Sequence, residues 1–218
     1  MIDSISSSIK EFSENISPKS KVLDIGCGLK PYKHYFLHCD YCGIDVEKSG
    51  REPQFKKPDL FFDGINIPFN DEYFDAIICT QVLEHCCHPD ALVSEMYRVL
   101  KKESLLLATV PFIWGEHEAP YDFRRYSTFG IQRVFSEANF KIVRLNKLSS
   151  GLEAIKALVS SEINNYNINI DKQNGNLFIK KAFKIIASIL WRLQLILWSR
   201  LYVFNRIYID NLIIVTKE

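Results

Sequence analysis

The sequence predicts an α/β fold built on a mostly parallel β-sheet. Short, nearly continuous apolar runs such as Lys21–Ile25 (KVLDI) alternate with segments of helical periodicity. Strands of this kind are buried on both faces, so we expect helices on both sides of the sheet. The 218 residues, 47% of them hydrophobic, are enough for one globular domain.

The periodicity gives the elements in order. An amphipathic helix carries Ile5, Ile9, Phe12 and Ile16 on one face and ends before Pro18. Strands are predicted over residues 21–25, 41–45, 59–62, 74–80, 105–110, 140–148 and 211–216. Further helices are predicted over residues 32–37, 89–100 and 128–139.

We expect a single domain with a helical insertion before its last strand. Residues 1–148 and 207–218 would form the core, and residues 149–206 the insertion. Within the insertion, Asn164–Asn176 is rich in asparagine and is typical of a loop.

Composition argues for a cytoplasmic protein without a nucleic-acid partner. The net charge of +1 provides no general attraction to nucleic acid or membrane. The N-terminal stretch has neither the basic start nor the apolar centre of a signal peptide. We expect the six cysteines to be reduced thiols. Cys39 and Cys42 form a C-x-x-C pair, but the sheet would separate them from Cys86–His88, so no metal site is predicted.

Residues just after the strands predict a nucleotide site. Ligands of open α/β sheets bind outside the carboxyl ends of the strands. Gly26 and Gly28 allow a tight turn there, and three acids, Asp24, Asp45 and Asp63, end successive strands. Each acid alone is as well explained as a turn or cap residue, but three together favour a binding site.

The turn does not match the two common nucleotide motifs. A dinucleotide-binding turn reads G-x-G-x-x-G, and Pro31 occupies the place of its third glycine. No Lys-Ser/Thr pair follows the turn, so a P-loop is excluded as well.

The motifs instead resemble a known enzyme family. VLDIGCG, GID, FFDGINIPFNDEYFDAIICTQVLEH and MYRVLKKESLLLATVP are similar to bacterial class I S-adenosylmethionine-dependent methyltransferases of the type-11 group. The resemblance covers about residues 20–148 and the last strand. It implies a seven-stranded Rossmann-like methyltransferase sheet, with helices on both faces and an antiparallel last strand. A turn of the form G-C-G-x-x-P-Y, as here, occurs in a subset of the family.

The resemblance also implies which residues bind S-adenosylmethionine. Asp24, Gly26 and Gly28 would approach its methionine part, with Cys27 between them. Asp45 would hold the ribose hydroxyls, next to Val46. The remaining implied residues are Asp63, Gly64 and Ile65 by the adenine, and Gln81 on the face where the methyl group is transferred.

The segment HEAPYDFRRYS, residues 117–127, is the predicted acceptor wall. Histidine suits a general base near neutral pH, which makes His117 and His85 the candidates. Asp122 could orient His117, and Arg124 and Arg125 could bind an anionic group. The aromatic residues that could wall an acceptor are Tyr121, Phe123 and Tyr126.

A structural explanation of these residues stays open. The arginines could instead pair with Asp122 and Glu118 in a surface loop, and His85 could bond backbone at a helix entry. The pattern VPF…H…P-x-D-F-x-R-Y-S also resembles a subgroup among enzymes of bacterial surface-polysaccharide and lipid-linked sugar synthesis. It implies O-methylation of a sugar or another small or lipid-linked acceptor. The alternatives are a cofactor-binding scaffold and a different nucleotide-dependent sugar enzyme.

Residues 177–204 predict a long helix with a narrow basic stripe. Its apolar runs are shorter than the ~18 residues that a membrane span needs. Its wide apolar face could contact the inner membrane surface, a second copy of the chain, or its own domain.

Overall fold

A computed structural model describes residues 2–171 and 207–218. Within these residues the chain forms four α-helices and seven β-strands. In chain order they are α1 (Ile2–Glu14), β1 (Lys21–Ile25), β2 (Asp40–Val46), β3 (Leu60–Phe62), β4 (Phe74–Thr80), α2 (Pro89–Val99), β5 (Leu100–Pro111), α3 (Thr128–Glu137), β6 (Phe140–Ser150), α4 (Leu152–Asp171) and β7 (Tyr208–Lys217). Short 3-10 helices cover Lys33–Tyr35, Pro53–Phe55 and Leu83–His85.

The strands form one sheet in the order β3-β2-β1-β4-β5-β7-β6. The pairs from β3 to β5 are parallel, and β7 runs antiparallel to β5. The winding reverses direction between β1 and β4, and Asp24 of β1 lies there opposite Gly43 and Ile78. The carboxyl ends of β1, β2 and β4 therefore meet at a switch point, where ligands of such sheets bind. This confirms the predicted fold class.

Helices cover both faces of the sheet. On one face α2 and α3 bury Met96 and Phe135 in the larger apolar cluster. On the other face α1 buries Ile5, Ile9 and Phe12, as its periodicity predicts. The start of α3 is fixed by Ser127, whose hydroxyl accepts a hydrogen bond from the Gly130 N–H at 3.1 Å.

Three elements differ from the sequence prediction. β5 begins at Leu100 rather than residue 105, because Leu100 pairs with Phe74 before a register shift. Only one 3-10 turn, Lys33–Tyr35, follows the glycine turn where a helix was predicted over residues 32–37. Residues 164–171 belong to α4, so the prediction of a loop was wrong for them. Its remainder, residues 172–176, lies outside the described residues.

The chain divides into two units, Met1–Leu148 with Ile209–Glu218, and Ser149–Tyr208. The first comprises nearly the residues predicted as the core. The predicted helix over residues 177–204, with its proposed membrane or dimer contact, lies outside the described residues. No helix in the described part of the chain has both the length and the apolarity to span a bilayer.

Candidate active site

A cavity of about 310 Å³ opens at the carboxyl ends of β1, β2 and β4. This volume is within the range of small-molecule sites. Seven of the ten predicted cofactor residues line it, namely Gly26, Asp45, Val46, Asp63, Gly64, Ile65 and Gln81. Two residues of the predicted acceptor side, His85 and Tyr121, also line it. The sequence prediction therefore converges on one cavity.

The glycine turn is held tightly against the ends of β2 and β4. Gly26 and Gly28 have φ angles of +70° and +51°, which only glycine adopts readily. The N–H groups of Gly26 and Cys27 both donate to the Ile44 carbonyl, at 2.9 and 3.1 Å. A Cβ on Gly26 would lie 2.3 Å from Cγ2 of Val82, so no larger residue fits.

The missing third glycine has a structural explanation. In dinucleotide-binding folds that glycine allows a helix to pack closely after the turn. Here no α-helix lies between β1 and β2, and the chain instead makes the short 3-10 turn. Lys30, at φ +58°, leads into it, and its ammonium contacts Asp59 at 2.5 Å.

Asp24 and Cys27 lie beneath the turn and do not line the cavity. Asp24 is only 1% exposed and accepts a short hydrogen bond from the Tyr41 hydroxyl. Burial raises the pKa of Asp24 to about 7, although the bond from Tyr41 opposes the shift. Here Asp24 supports the turn, and its predicted approach to the methionine part of the cofactor stays a prediction.

Asp45, predicted to hold the ribose hydroxyls, lines the cavity beside the glycine turn. Its Oδ2 accepts from the Gly28 N–H at 2.9 Å and its Oδ1 from the Val46 N–H at 2.7 Å. Each oxygen keeps a lone pair for a further donor. The Lys56 ammonium lies 4.0 Å from Oδ1, with 2% of its side chain exposed, and donates to the Val46 carbonyl at 2.7 Å. This buried cation supports the charge of Asp45 inside the protein.

Asp63 organises the turn at the opposite side of the cavity. Its carboxylate accepts from the backbone N–H groups of Ile65 and Asn66, at 2.8 and 2.7 Å, and from the Asn66 amide. These bonds, the Asn66 amide first, lower the pKa of Asp63. Phe62, Ile65 and Leu92 line the same region, which suits an apolar ring such as adenine.

Gln81 ends β4 in a left-handed conformation, at φ +56°. Its backbone N–H donates to the Thr109 carbonyl at 2.9 Å, and its amide nitrogen lies 3.2 Å from the Thr109 hydroxyl. These bonds fix the residue on the cavity wall between the glycine turn and His85.

Two buried acids follow this wall. Glu84 and Asp210 are both 0% exposed, and their carboxylate oxygens have no hydrogen-bond partner among the described residues. Burial raises the pKa of Glu84 to about 8 and that of Asp210 to about 6. Unsatisfied buried carboxyl groups are costly, so both call for an explanation.

Residues 117–127, which we call the HEAP loop, are tied to the segment after β4. The Phe123 N–H donates to the Glu84 carbonyl at 2.9 Å, and Nδ1 of His85 lies 2.9 Å from the Tyr121 carbonyl. Arg124 donates to the carbonyls of Cys86 and Cys87. The HEAP loop therefore lies against the segment after β4, where His85 lines the cavity.

The loop after β2 contacts the HEAP loop at the cavity rim. Nε of Arg51 and Oε1 of Glu118 are 2.5 Å apart, and both residues line the cavity. A Cβ on Gly50 would lie 1.9 Å from the Glu118 carbonyl oxygen, so the two backbones are in direct contact. Glu118 therefore pairs with Arg51, not with the arginines of its own loop.

The two candidate bases form a pair. The rings of His85 and His117 are 4.8 Å apart and perpendicular. Since a carbonyl can only accept, Nδ1 of His85 carries a proton and Nε2 keeps its lone pair. Nδ1 of His117 lies 3.3 Å from Asp122 and 3.2 Å from the Gly115 carbonyl. Burial lowers the pKa of His85, so this ring is neutral near pH 7. His117 stands behind His85 and does not line the cavity.

The structure corrects the predicted substrate roles of Arg125 and Tyr126. Both terminal nitrogens of Arg125 bond Asp122, at 2.5 and 2.7 Å, and its Nε bonds the Trp114 carbonyl. The bonds from Arg125 hold the pKa of Asp122 well below its usual range. With its nitrogens occupied, Arg125 orients Asp122. Tyr126 is 7% exposed, and its hydroxyl bonds the Leu83 carbonyl at 3.3 Å, so it is a core residue. Asp122, 5% exposed, orients His117 and does not line the cavity.

Sequence reasoning missed several residues of the site. Lys56 lies in an ordinary polar stretch, and no local pattern predicts its burial. Glu84 could have been found, because it stands between the fourth strand and His85 in the quoted motif. Asp210 lies just before the predicted last strand, and its register opposite Pro111 brings it to the site.

Comparisons with known proteins agree with this geometry. Residues 23–108 match the Methyltransf_11 family, described as a methyltransferase domain. A probable tRNA methyltransferase 9B from Mus musculus is 31% identical over 128 residues, 54% of this chain and 27% of that protein. The ubiquinone/menaquinone biosynthesis C-methyltransferase UbiE of Paraburkholderia phymatum is 32% identical over 122 residues, half of each chain. This chain thus spans between about a quarter and a half of the length of these relatives.

Solved structures share the fold. Phosphoethanolamine N-methyltransferase 2 of Haemonchus contortus, in complex with S-adenosylmethionine, superimposes with a TM-score of 0.57 at 15% identity. The match covers 98% of this chain and 52% of that one. Residues 23–108 therefore match a methyltransferase domain, and the described sheet shares the fold of a methyltransferase solved with S-adenosylmethionine.

Proposed function

We propose that the protein transfers a methyl group from S-adenosylmethionine to an oxygen of a small or lipid-linked acceptor. The observation that carries the proposal is the joint placement of the Asp45 carboxylate, the glycine turn and the His85 ring around one cavity. Bound there, the cofactor would supply an electrophilic methyl group, and the protein's task would be alignment of donor and acceptor.

The HEAP loop supports an acceptor site beside His85. Methylation of a hydroxyl requires a group that accepts its proton or makes the hydroxyl more acidic. Nε2 of His85 is buried and has no hydrogen-bond partner among the described residues, and the ring lines the cavity. Arg125 binds Asp122, and Asp122 lies beside Nδ1 of His117, so this pair would hold the His117 ring in place behind the His85 ring.

The acceptor class rests on the resemblance of the HEAP loop to enzymes of polysaccharide and lipid-linked sugar synthesis. Tyr121, which lines the cavity, and the exposed Phe123 could contact a sugar ring. Arg124 retains Nε for an anionic group after its two bonds to carbonyls. The relatives are named for other acceptors, namely tRNA, a quinone and phosphoethanolamine, so the expectation of no nucleic-acid partner lacks support.

Methyl-labelled S-adenosylmethionine with a panel of acceptors tests the proposal. The panel contains nucleotide sugars, lipid-linked sugars, a quinone precursor, phosphoethanolamine and bulk tRNA. We expect label in a sugar-containing acceptor, at an oxygen. Label only in tRNA, or only in the quinone or the amine, would overturn the acceptor class and leave the transfer reaction intact.

Replacement of His117 tests the assignment of the acceptor end. His117→Ala removes the ring that lies against His85, and we expect a fall in kcat of at least about tenfold with unchanged cofactor affinity. His34→Ala is the matched control, because His34 is exposed and remote from the cavity lining. Full activity of His117→Ala would remove His117 from the reaction.

A scaffold without catalytic activity is the alternative. It predicts that S-adenosylmethionine binds and that no acceptor of any class is methylated, even by the wild-type protein.

A further inference from the structure

Three potential metal ligands meet at the methyl-transfer end of the cavity. Glu84, His85 and His117 each offer one ligand atom, and these atoms lie within 4.8 Å of one another. Nε2 of His85 is 4.0 Å from Oε1 of Glu84. The side chains are 0%, 12% and 30% exposed, in that order, so the cluster is buried on the Glu84 side and more open at His117.

The cluster is unsatisfied in a specific way. Both carboxylate oxygens of Glu84 and Nε2 of His85 are buried without a hydrogen-bond partner among the described residues. Leaving such groups unpaired in the protein interior destabilises the fold. The 4.0 Å between them is too long for a direct hydrogen bond. A cation bound between them would give a partner to one oxygen of Glu84 and to Nε2 of His85.

Each histidine is held as metal ligands usually are. A ligating histidine typically donates its second ring N–H to a carbonyl or carboxylate, which fixes the ring and its tautomer. Nδ1 of His85 donates to the Tyr121 carbonyl, which leaves the Nε2 lone pair free. His117 has its Nδ1 beside the Asp122 carboxylate and the Gly115 carbonyl. Asp122 is itself fixed by Arg125, so the support extends one step further.

We propose that Glu84, His85 and His117 bind a divalent transition-metal ion of the Zn²⁺ type. Two imidazoles and one carboxyl group, which releases its proton when the ion binds, suit such an ion, and a set of three ligands leaves a position open for a further oxygen. Ligand atoms about 2.1 Å from a tetrahedral ion lie about 3.4 Å from each other. The observed separations, up to 4.8 Å, are up to about 1.4 Å longer, which rotations of the side chains would close.

A metal ion at this site would also extend the proposed function by activating the acceptor. Only this extension rests on the proposed function; the metal site itself does not. His85 lines the cavity, so the open position would face a bound acceptor. A metal-bound hydroxyl is more acidic than a free one, since the cation stabilises the alkoxide. The ion would then replace the imidazole as the group that activates the acceptor oxygen.

The test uses the full-length protein after removal of metal by chelation. Binding of Zn²⁺ is measured by calorimetry, and Co²⁺ serves as a spectroscopic probe. We expect one ion per chain, and at least about tenfold weaker binding by Glu84→Gln and by His117→Ala. Zn²⁺ should raise the Tm of the wild type and not that of the variants, which separates binding from a folding defect.

Two controls exclude other sources of binding. His34→Ala and Cys87→Ser change an exposed imidazole and an exposed thiol, and both should bind Zn²⁺ as the wild type does. The Co²⁺ spectrum should lack thiolate-to-metal charge transfer, since Cys86 and Cys87 are not ligands in the proposal. Binding that survives both ligand variants, or no binding of either ion, would overturn the site.

Failure of this site and failure of the proposed function give different results. A protein that binds S-adenosylmethionine and methylates an acceptor, but does not bind Zn²⁺ through these residues, refutes only the metal site. A protein that binds Zn²⁺ through these residues but not S-adenosylmethionine refutes only the proposed function.

Discussion

Replacement of Asp45 gives the most quantitative test of the cofactor site. Each carboxylate oxygen of Asp45 accepts one hydrogen bond from a backbone N–H, that of Gly28 at 2.9 Å and that of Val46 at 2.7 Å. The two remaining lone pairs are available to the two hydroxyls of a ribose. Hydrogen bonds to a charged group contribute about 1.5–3 kcal/mol each. In the variant, water can hydrogen-bond the ribose hydroxyls instead, which reduces the net loss. A net loss of about 3 kcal/mol corresponds to about 100-fold weaker binding.

The assay is calorimetric titration with S-adenosylmethionine and S-adenosylhomocysteine. Asp45→Ala should weaken both by well over tenfold. Asp45→Asn keeps one acceptor oxygen and loses the charge, so we expect an intermediate effect of about tenfold. The matched control is Asp40→Asn, because Asp40 lies on the same strand and is exposed.

A folding defect must be separated from a binding defect. Asp45→Ala leaves the buried ammonium of Lys56 without its nearest carboxylate, 4.0 Å away, which destabilises the fold as well. The thermal unfolding of each variant is therefore measured as well. The titrations are carried out below the temperature at which unfolding begins. Folded Asp45→Ala with unchanged affinity would refute the assignment of Asp45 to the cofactor.

Three further predictions concern the turn, the buried acid and the HEAP loop. Gly26→Ala places a Cβ 2.3 Å from Val82 at a φ of +70°, so we expect a loss of cofactor binding in titration and a lower Tm. A cofactor affinity and Tm equal to those of the wild type would show that the turn is not rigid. Asp24 has its folded pKa raised from 3.8 to about 7, so its stabilising contribution is complete below about pH 4 and is lost as the pH rises through 7. Urea unfolding between pH 4 and 8 should show this loss, on the order of 4 kcal/mol, and a shallower slope for Asp24→Asn; equal slopes would contradict it. Arg125→Lys cannot keep the paired bonds to Asp122, so we expect kcat to fall several-fold with KM for the cofactor unchanged, and an unchanged kcat would refute its positioning role.

The sequence predicts the sheet well, and most of the residues predicted to bind the cofactor line one cavity. Strands buried on both faces produce unmistakable apolar runs, as in Lys21–Ile25, and the residues that follow them must meet at one edge. Asp45 and Gly26 were found for this reason. The periodic pattern of α1 was equally informative, because its apolar residues all face the sheet.

The remaining features depend on contacts between residues distant in the chain. The polar run Lys101–Ser104 hides the start of β5, which only its partner strand reveals. Arg124 and Arg125 have the same chemistry in the sequence, yet one holds the segment after β4 and the other holds Asp122. The buried state of Glu84 follows from the HEAP loop above it, which no local pattern encodes.

A crystal structure with S-adenosylhomocysteine tests the central claim most directly. We expect the ligand in the cavity at the ends of β1, β2 and β4, with the ribose hydroxyls within about 3.2 Å of the Asp45 carboxylate and the sulfur on the side of Gln81 and His85. A protein that takes up no ligand at saturating concentration, or that binds it away from Asp45, would contradict the account.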